Sequence, residues 1–279
     1  MTAGAERVAA SLGSEAGAAR SIAPPAGGWW LAVSTSGPDW SLWLGRSSAA
    51  QPPFADADQR CLLGVRGQPR DLVGVMAELL ASRGLAVTDL AGLVVDSGPG
   101  SFTSLRMGLA AVRALAWAQA LPVATVCSLD AMAAQALHGG ASPRLACVLP
   151  ARRGWWYVAT YQADLHNLAP NLATVLASRE TAQVATAHLA RHLTQRLGDR
   201  DWTGLGPLDP ADRRELGAGD WVADAGPRAA WMAYVASQLP NWTTAQLAVP
   251  EYLAVSEAEA AAATAIPETA SDAISQFSL

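Results

Sequence analysis

The chain has 279 residues, 51% of them hydrophobic, which is enough apolar material for the core of one large or two ordinary domains. A formal net charge of -5 argues against a protein that binds nucleic acid through a basic surface of its own. All 19 positive charges are arginines, so Schiff-base lysine chemistry and a Walker-type phosphate loop are excluded. The three cysteines are widely spaced and no apolar run reaches membrane-spanning length, so we expect a cytoplasmic protein without membrane association.

The N-terminal third is predicted to open with a disordered extension. Residues 1–28 are rich in Ala, Gly and Ser, with a short helix near residues 6–12 as the alternative. The folded part of the chain is predicted to start with a β-hairpin, whose strands 29–33 and 40–44 flank a turn at 34–39. A loop over 49–58, a third strand at 61–65 and a helix over 71–83 that stops at Gly84 follow in order.

The next stretch is a strand that runs through a glycine turn into a helix. The strand is predicted at 93–95, the turn at Gly98–Ser101 and the helix at 102–120. This order presents backbone N–H groups at the positive end of a helix dipole, which suits an anion or a close backbone contact. A tight connection whose glycines serve only backbone geometry remains the alternative.

The second half repeats the pattern of the first. After a strand at 123–126 and a helix at 128–137, the Gly-rich segment 139–143 predicts a lobe boundary. A second hairpin (145–149 and 155–161), helices over 179–197 and 229–239, and a glycine turn at 204–206 follow. The predicted organisation is α/β, with an N-terminal lobe 29–140, a C-terminal lobe 141–255 and an Ala-rich tail 256–279.

Several motifs together carry a resemblance to a known family. Residues 98–110 read GPGSFTSLRMGLA, a Pro-Val strand starts at Pro122, and residues 126–131 read VCSLDA. This pattern resembles the TsaB family, formerly YeaZ, which has GPGSFTGLRIGLA, a Pro-Val strand and V-x-S-L-E/D-A. The segments ARRG at 151–154 and PEYL at 250–253 are similar to two further family motifs, so the resemblance covers nearly all of residues 29–255.

The resemblance implies both a fold and a role. The fold is two-lobed, actin-like and Hsp70-like (ASKHA, ribonuclease H-like), with a mixed sheet flanked by helices in each lobe. The implied role is a non-catalytic scaffold or activator that dimerises with TsaD, the related enzyme that transfers a threonylcarbamoyl group onto adenosine 37 of tRNA. TsaE, an ATPase, joins the pair. We expect tRNA, ATP or ADP, and Mg²⁺ to act only at the level of this complex, no cofactor on the isolated chain, and a homodimer where TsaD is absent.

The resemblance also places a four-helix contact on the two helices at 71–83 and 102–120, with two helices from each subunit. A charge at Met76 or Ala110 is therefore predicted to disrupt the heterodimer. The predicted interface residues are Leu72, Val75, Met76, Leu79, Leu105, Met107, Gly108, Ala110, Ala111 and Ala114.

No catalytic residue and no metal site is predicted. TsaD binds a metal through His-x-x-x-His one strand after its glycine turn, whereas residues 127–132 of this chain contain no histidine. His188 and His192 are spaced to share one helical face, but a solvated face is favoured over a metal pair. Asp96 is expected to stabilise a turn rather than act as a general base. Ser101 is expected to cap a helix.

The first hairpin turn also departs from the family pattern. TsaB relatives usually have Asp-Thr-Ser there, and this chain has Ser34-Thr35-Ser36, without the carboxylate that holds a hard cation. A weak nucleotide or phosphate site stays open, at Ser34, Thr35, Gly98, Gly100 and Ser101. The rival functions are an actin-like ATPase or kinase and a metal-dependent peptidase. An RNA-stacking patch at 152–157 is a further alternative, with a structural hairpin favoured.

Overall fold

A computed structural model describes most of the chain between Gly27 and Glu251. The predicted tail 256–279, and all of the predicted extension except Gly27 and Gly28, lie outside the described residues. Within the described part, no helix has the length and apolarity needed to cross a membrane. The described ranges are 27–52, 54, 56–62, 71–162, 171–199, 201–216, 221–222, 228–239 and 242–251.

The first lobe is built on a mixed six-stranded sheet. Its strands are β1 (Trp29–Ser34), β2 (Trp40–Arg46), β3 (Asp58–Leu62), β4 (Leu90–Gly98), β5 (Val123–Cys127) and β11 (Trp242–Thr243). The spatial order is β11-β5-β4-β1-β2-β3. The first three strands form an antiparallel meander, whereas β1, β4 and β5 are parallel, as expected where helical crossovers join them. The predicted third strand starts earlier than expected and ends at Leu62; residues 63–65 lie outside the described residues.

The second lobe holds a five-stranded sheet of the same mixed kind. Its strands are β6 (Arg144–Pro150), β7 (Trp155–Gln162), β8 (Glu180–Ala185), β9 (Thr203–Leu205) and β10 (Trp221–Val222), in the spatial order β10-β9-β6-β7-β8. Strands β6, β7 and β8 are antiparallel neighbours, and β9 runs parallel to β6. Both lobes therefore start with a hairpin, as predicted from the sequence.

Helices connect and cover the two sheets. They are α1 (Leu72–Ala81), α2 (Phe102–Gln119), α3 (Ser128–His138), α4 (Leu172–Ala177), α5 (Leu189–Leu197), α6 (Pro210–Glu215) and α7 (Arg228–Gln238). The side chain of Asp71 caps α1 by accepting a hydrogen bond from the Gly74 N–H at 2.8 Å.

Two predicted elements of the second lobe are wrong. The helix predicted over 179–197 begins as the strand β8, which pairs with β7 along its whole length, and only its last nine residues form α5. The glycine turn predicted at 204–206 begins inside the strand β9, which pairs with β6 and β10, and a Cβ on Gly204 would lie 2.1 Å from the Trp221 ring. Glycine is needed there for an aromatic contact, whereas Gly206 does have a positive φ of 145°.

The helices α3 and α7 join the two lobes through one core. The helix α3 contacts strands of both sheets, and α7 packs on α3 and on β1, β2, β4 and β5. Strand β11 then pairs with β5, and the Trp242 ring lies 4.6 Å from the Trp30 ring. Residues 228–251 thus return to the first sheet, in contrast to the predicted C-terminal lobe of 141–255, because the apolar face of α7 is buried against first-lobe strands.

Candidate functional site

A cleft of about 780 Å³ opens where turns of the two lobes face each other. The first lobe contributes the hairpin turn after β1 and the start of α2; the second contributes the end of β6 and Tyr157 of β7. The predicted glycine turn and the second-lobe hairpin turn thus share one site. The lining residues are Ser36, Gly37, Pro38, Trp40, Gly100, Ser101, Phe102, Ser104, Met107, Leu149, Pro150, Ala151, Arg152 and Tyr157.

A buried carboxylate from β4 holds the first hairpin turn. The Oδ2 atom of Asp96 accepts hydrogen bonds from Ser34 Oγ at 3.1 Å, from Thr35 N at 3.0 Å and from Ser36 N at 2.8 Å. Burial raises the pKa of Asp96, and the hydrogen bonds from Ser36, Ser34 and Thr35 oppose that rise. A carboxylate therefore lies beside this turn although residue 34 is a serine, and the neighbouring strand supplies it.

The hairpin turn touches α2 so closely that two glycines are required. A Cβ on Gly100 would lie 2.3 Å from the Ser36 carbonyl oxygen, which accepts a 2.8 Å hydrogen bond from the Ser101 N–H. A Cβ on Gly108 would lie 2.3 Å from Thr35 Oγ1, which donates to the Ser104 carbonyl oxygen at 2.8 Å. The glycines thus serve a close backbone contact, which is one of the two uses that the sequence left open.

The five residues proposed for a weak phosphate site do not lie on one surface. Gly100 and Ser101 line the cleft. Ser34 and Thr35 are buried and their hydroxyls are hydrogen-bonded, and Gly98 is buried behind the turn with a φ of 96°. Any ligand in the cleft would meet the start of α2 rather than the hydroxyl groups of the first two hairpin residues. The side chain of Ser101 does not cap α2; its Oγ donates to Ser104 Oγ at 3.1 Å.

The two histidines lie in the second lobe, away from the cleft lining. His188 precedes α5 and His192 lies within it. Burial lowers the pKa of His192, and the neighbouring Arg196 lowers it further. Among the described residues, no three His, Cys, Asp or Glu side chains are grouped closely enough to hold a metal ion.

Half of the predicted interface residues belong to the core. The side chains of Leu72, Met76 and Leu79 on α1 are buried, as are Leu105 and Gly108 on α2, so these five do not reach the surface. Their prediction as contact residues is wrong, because an apolar helical stripe has the same spacing whether it faces a sheet or a partner. Met107, Ala110 and Ala114 are exposed, and Val75 and Ala111 are half-buried.

The surface of α1 and α2 carries apolar residues that are not among the predicted interface residues. Val73 is 65% exposed and Trp117 is 69% exposed. Both helices bury their opposite stripes in the same core cluster against the first sheet, so their outer sides form one surface. The signal in the sequence was a second apolar stripe on α2, at spacings of 3, 4 and 3 residues. We call this surface the α1–α2 face: Val73, Ala77, Ala81, Met107, Ala110, Ala114 and Trp117.

Comparison with known proteins gives a consistent family. Residues 68–192 match the family model described as TsaD: tRNA N6-adenosine threonylcarbamoyltransferase. The chain is 36% identical over 104 residues to the tRNA threonylcarbamoyladenosine biosynthesis protein TsaB of Bacillus subtilis, covering 36% of this chain and 44% of that protein. It is 28% identical over 141 residues to TsaB of Escherichia coli, covering 50% and 58%. The chain thus spans about half the length of these curated relatives.

Solved structures extend the likeness to both lobes. YeaZ from Pseudomonas aeruginosa is 24% identical and superimposes with a TM-score of 0.56 over 81% of this chain and 100% of that chain. A second structure, titled as similar to peptidase YEAZ from the same organism, gives a TM-score of 0.58 over the same shares. The fold is therefore the two-lobed α/β fold of these YeaZ structures, with a mixed sheet in each lobe as predicted. In its motifs, its sequence relatives and its architecture, the chain is similar to the TsaB (YeaZ) family.

Proposed function

We propose that this chain is a non-catalytic scaffold or activator subunit in the cytoplasmic synthesis of threonylcarbamoyladenosine in tRNA. It dimerises with TsaD through the α1–α2 face, TsaE joins the pair, and tRNA is reached only through the complex. The names of the curated relatives support the pathway. The observation that carries the role is the exposed apolar surface on α1 and α2, with Trp117 at its end.

The chemistry of this surface favours a protein partner. Exposed Trp side chains are common centres of binding energy, and small residues such as Ala110 and Ala114 let another helix approach closely. Apolar burial is worth about 25 cal/mol per Å² before the cost of association. The exposed side chains of Arg106 and Arg113 flank the α2 stripe, and α2 has no acidic residue, so acidic residues on the partner would complement it.

The hairpin turn supports a role without catalysis. Asp96 is fully buried, and its Oδ2 atom accepts three hydrogen bonds from the hairpin turn, which favours a structural role for this carboxylate. Ser34 and Thr35 are engaged in the same turn. ATP or ADP and Mg²⁺ then belong to the complex rather than to the isolated chain, and a homodimer through the same face forms where TsaD is absent.

Reconstitution tests the proposal. The purified chain is mixed with TsaD, TsaE, a source of threonylcarbamoyl-adenylate and tRNA, and modified adenosine is measured together with capture of TsaD. We expect the wild-type chain to restore the modification, and Ala110→Asp and Trp117→Ala to weaken TsaD capture about tenfold or more. Ala177→Asp, an exposed alanine of the second lobe, is the matched control and should behave as wild type.

The outcomes distinguish an error in the proposed function from an error in the proposed contact surface. If wild type restores the modification and both variants still capture TsaD, the α1–α2 face is not the contact. If wild type fails to restore it, the function is wrong. Stoichiometric metal, ATP turnover or peptide cleavage by the isolated chain would favour the enzyme alternatives.

A further inference from the structure

Four side chains from both lobes form one hydrogen-bonded cluster. Arg179, just before β8 in the second lobe, donates from NH1 to Asp130 Oδ2 and from NH2 to Glu251 Oε1, each at 3.0 Å. The Tyr161 hydroxyl of β7 donates to Asp130 Oδ1 at 2.8 Å. Asp130 lies in the first turn of α3, which follows the first-sheet strand β5 in the chain and packs on both sheets, and Glu251 follows β11 of the first sheet.

Both carboxylates are tied to the turns that shape the cleft. The Glu251 N–H donates to the Ser97 carbonyl oxygen at 2.7 Å, directly before the glycine turn. Asp130 lies two residues after Ser128, whose hydroxyl shares a 2.8 Å hydrogen bond with Ser36 in the cleft wall. Arg179 therefore connects the second lobe to both first-lobe turns at once.

We infer that Asp130, Tyr161, Arg179 and Glu251 form an inter-lobe latch that holds the cleft at its present width. Separating the lobes removes Tyr161 and Arg179 from Asp130, and Arg179 from Glu251, so two ion pairs and one hydrogen bond are lost. In the closed chain, replacing Arg179 would leave Asp130 and Glu251 partly buried without their cation, which costs far more than removing a surface pair. The latch thus opposes opening of the cleft whatever partner the chain binds.

The charge balance of the latch makes it sensitive to pH. Two carboxylates face one guanidinium, and burial raises the pKa of Asp130 to about 6, with Glu251 adding to the rise and with Arg179 and Tyr161 opposing it. The other facing groups stay neutral: burial raises the pKa of Cys127 to about 12 and raises that of Tyr161 well above its usual value. Cys147 lies on the Tyr161 side of the cluster.

The direction of the pH dependence follows from the pKa of Asp130 in the closed and the open states of the cleft. Once the lobes separate, Asp130 is hydrated and its pKa falls toward its ordinary value of 3.8. The closed state therefore binds the proton more tightly than the open state. Protonation favours closure, fully below pH 3.8, and this contribution is lost as the pH rises through about 6.

Hydrogen exchange of the full chain tests the latch. In Arg179→Gln, amides of the cleft turns at 97–101 and 150–154 should exchange about tenfold faster than in wild type, with α5 unchanged. The matched control is Arg196→Gln, which removes an exposed ion pair with Glu180 inside the second lobe and should leave the cleft turns as in wild type. Unchanged cleft turns in Arg179→Gln, or equal acceleration in both variants, would overturn the proposal.

A second variant tests the latch if Arg179→Gln does not fold. Asp130→Asn mimics the protonated side chain and should fold. Corrected for the intrinsic exchange rate, exchange of the wild-type cleft turns should increase from pH 5 to pH 7, and that of Asp130→Asn should not. A wild-type chain whose cleft turns show no such pH dependence would contradict the proton-linked latch.

Discussion

The two lobes share a plan and differ in what their longest helices show to solvent. Each lobe starts with a hairpin and buries a leucine-containing helical stripe against its sheet. In the second lobe, α5 buries Leu189, Leu193 and Leu197 and exposes polar residues, whereas α2 in the first lobe has an apolar stripe on its outer side as well. The core-facing stripes of the two helices are alike, whereas their outer faces differ. The proposed contact with a partner rests on that difference. The exposed residues of α5 are Arg191, Thr194, Gln195 and Arg196.

The largest loss of stability is expected on the buried face of α1, in contrast to its exposed face. Met76 is buried against the first sheet and Val73 is exposed on the same helix. An aspartate at residue 76 places an unpaired charge in the core, so Met76→Asp should lower the free energy of unfolding by about 4 kcal/mol or prevent folding. Val73→Asp should change it by about 0.5 kcal/mol or less. Urea unfolding followed by circular dichroism measures both, and equal losses would contradict the assignment of the two faces.

A smaller effect is expected where α2 meets the hairpin turn. Gly108→Ala would bring a methyl group within 2.3 Å of Thr35 Oγ1, which is buried and hydrogen-bonded. The strain should outweigh the better helix propensity of alanine, for a net loss of about 1–3 kcal/mol of unfolding free energy. Ala110→Ser, two residues further along on the exposed side of α2, should cost about 0.5 kcal/mol at most. A higher free energy of unfolding for Gly108→Ala would show that the hairpin turn at Thr35 moves to accommodate the methyl group.

The smallest effect lies in the second lobe and depends on pH. Burial lowers the pKa of His192, so its neutral form is favoured in the folded chain. Its contribution to stability is present above about pH 6.5, the ordinary histidine value, and is lost as the pH falls through the lowered pKa. Because the side chain is only half-buried, we expect a loss of about 0.3 kcal/mol. His192→Gln should remove this part of the pH dependence in urea unfolding between pH 5 and 7, and an unchanged slope would contradict it.

Much of the fold could be predicted because hairpins, crossovers and helix stops have local signals. Strand β8 was missed because residues 180–185 directly precede a strongly amphipathic helix, and the combined stretch resembles one helical period. The return of α7 and β11 to the first sheet leaves no local signal at all. It depends on which buried surface is available once both sheets exist.

The candidate site was predicted only in part, because it depends on strand register as well as on local signals. The closeness of the glycine turn to the first hairpin follows from the parallel pairing of β1 and β4, in which Val33 lies opposite Val95 and Ser34 comes next to Asp96. Without that register, the carboxylate missing at residue 34 has no visible replacement. The identity of Met76 as core and Trp117 as surface required the sheet position, because both occur in apolar helices of similar composition.

The pairing of Trp30 with Trp242 has a consequence for the order in which the protein folds on the ribosome. One ring is near the start of the described chain and the other near its end, and between them the chain builds the entire second sheet. The first lobe is discontinuous, so its core cannot close until residues 228–251 have left the ribosome. A nascent chain that stops after β5 and α3 exposes the first-lobe surfaces that α7 later covers, so the first lobe completes its core only after the strands of the second sheet have been made.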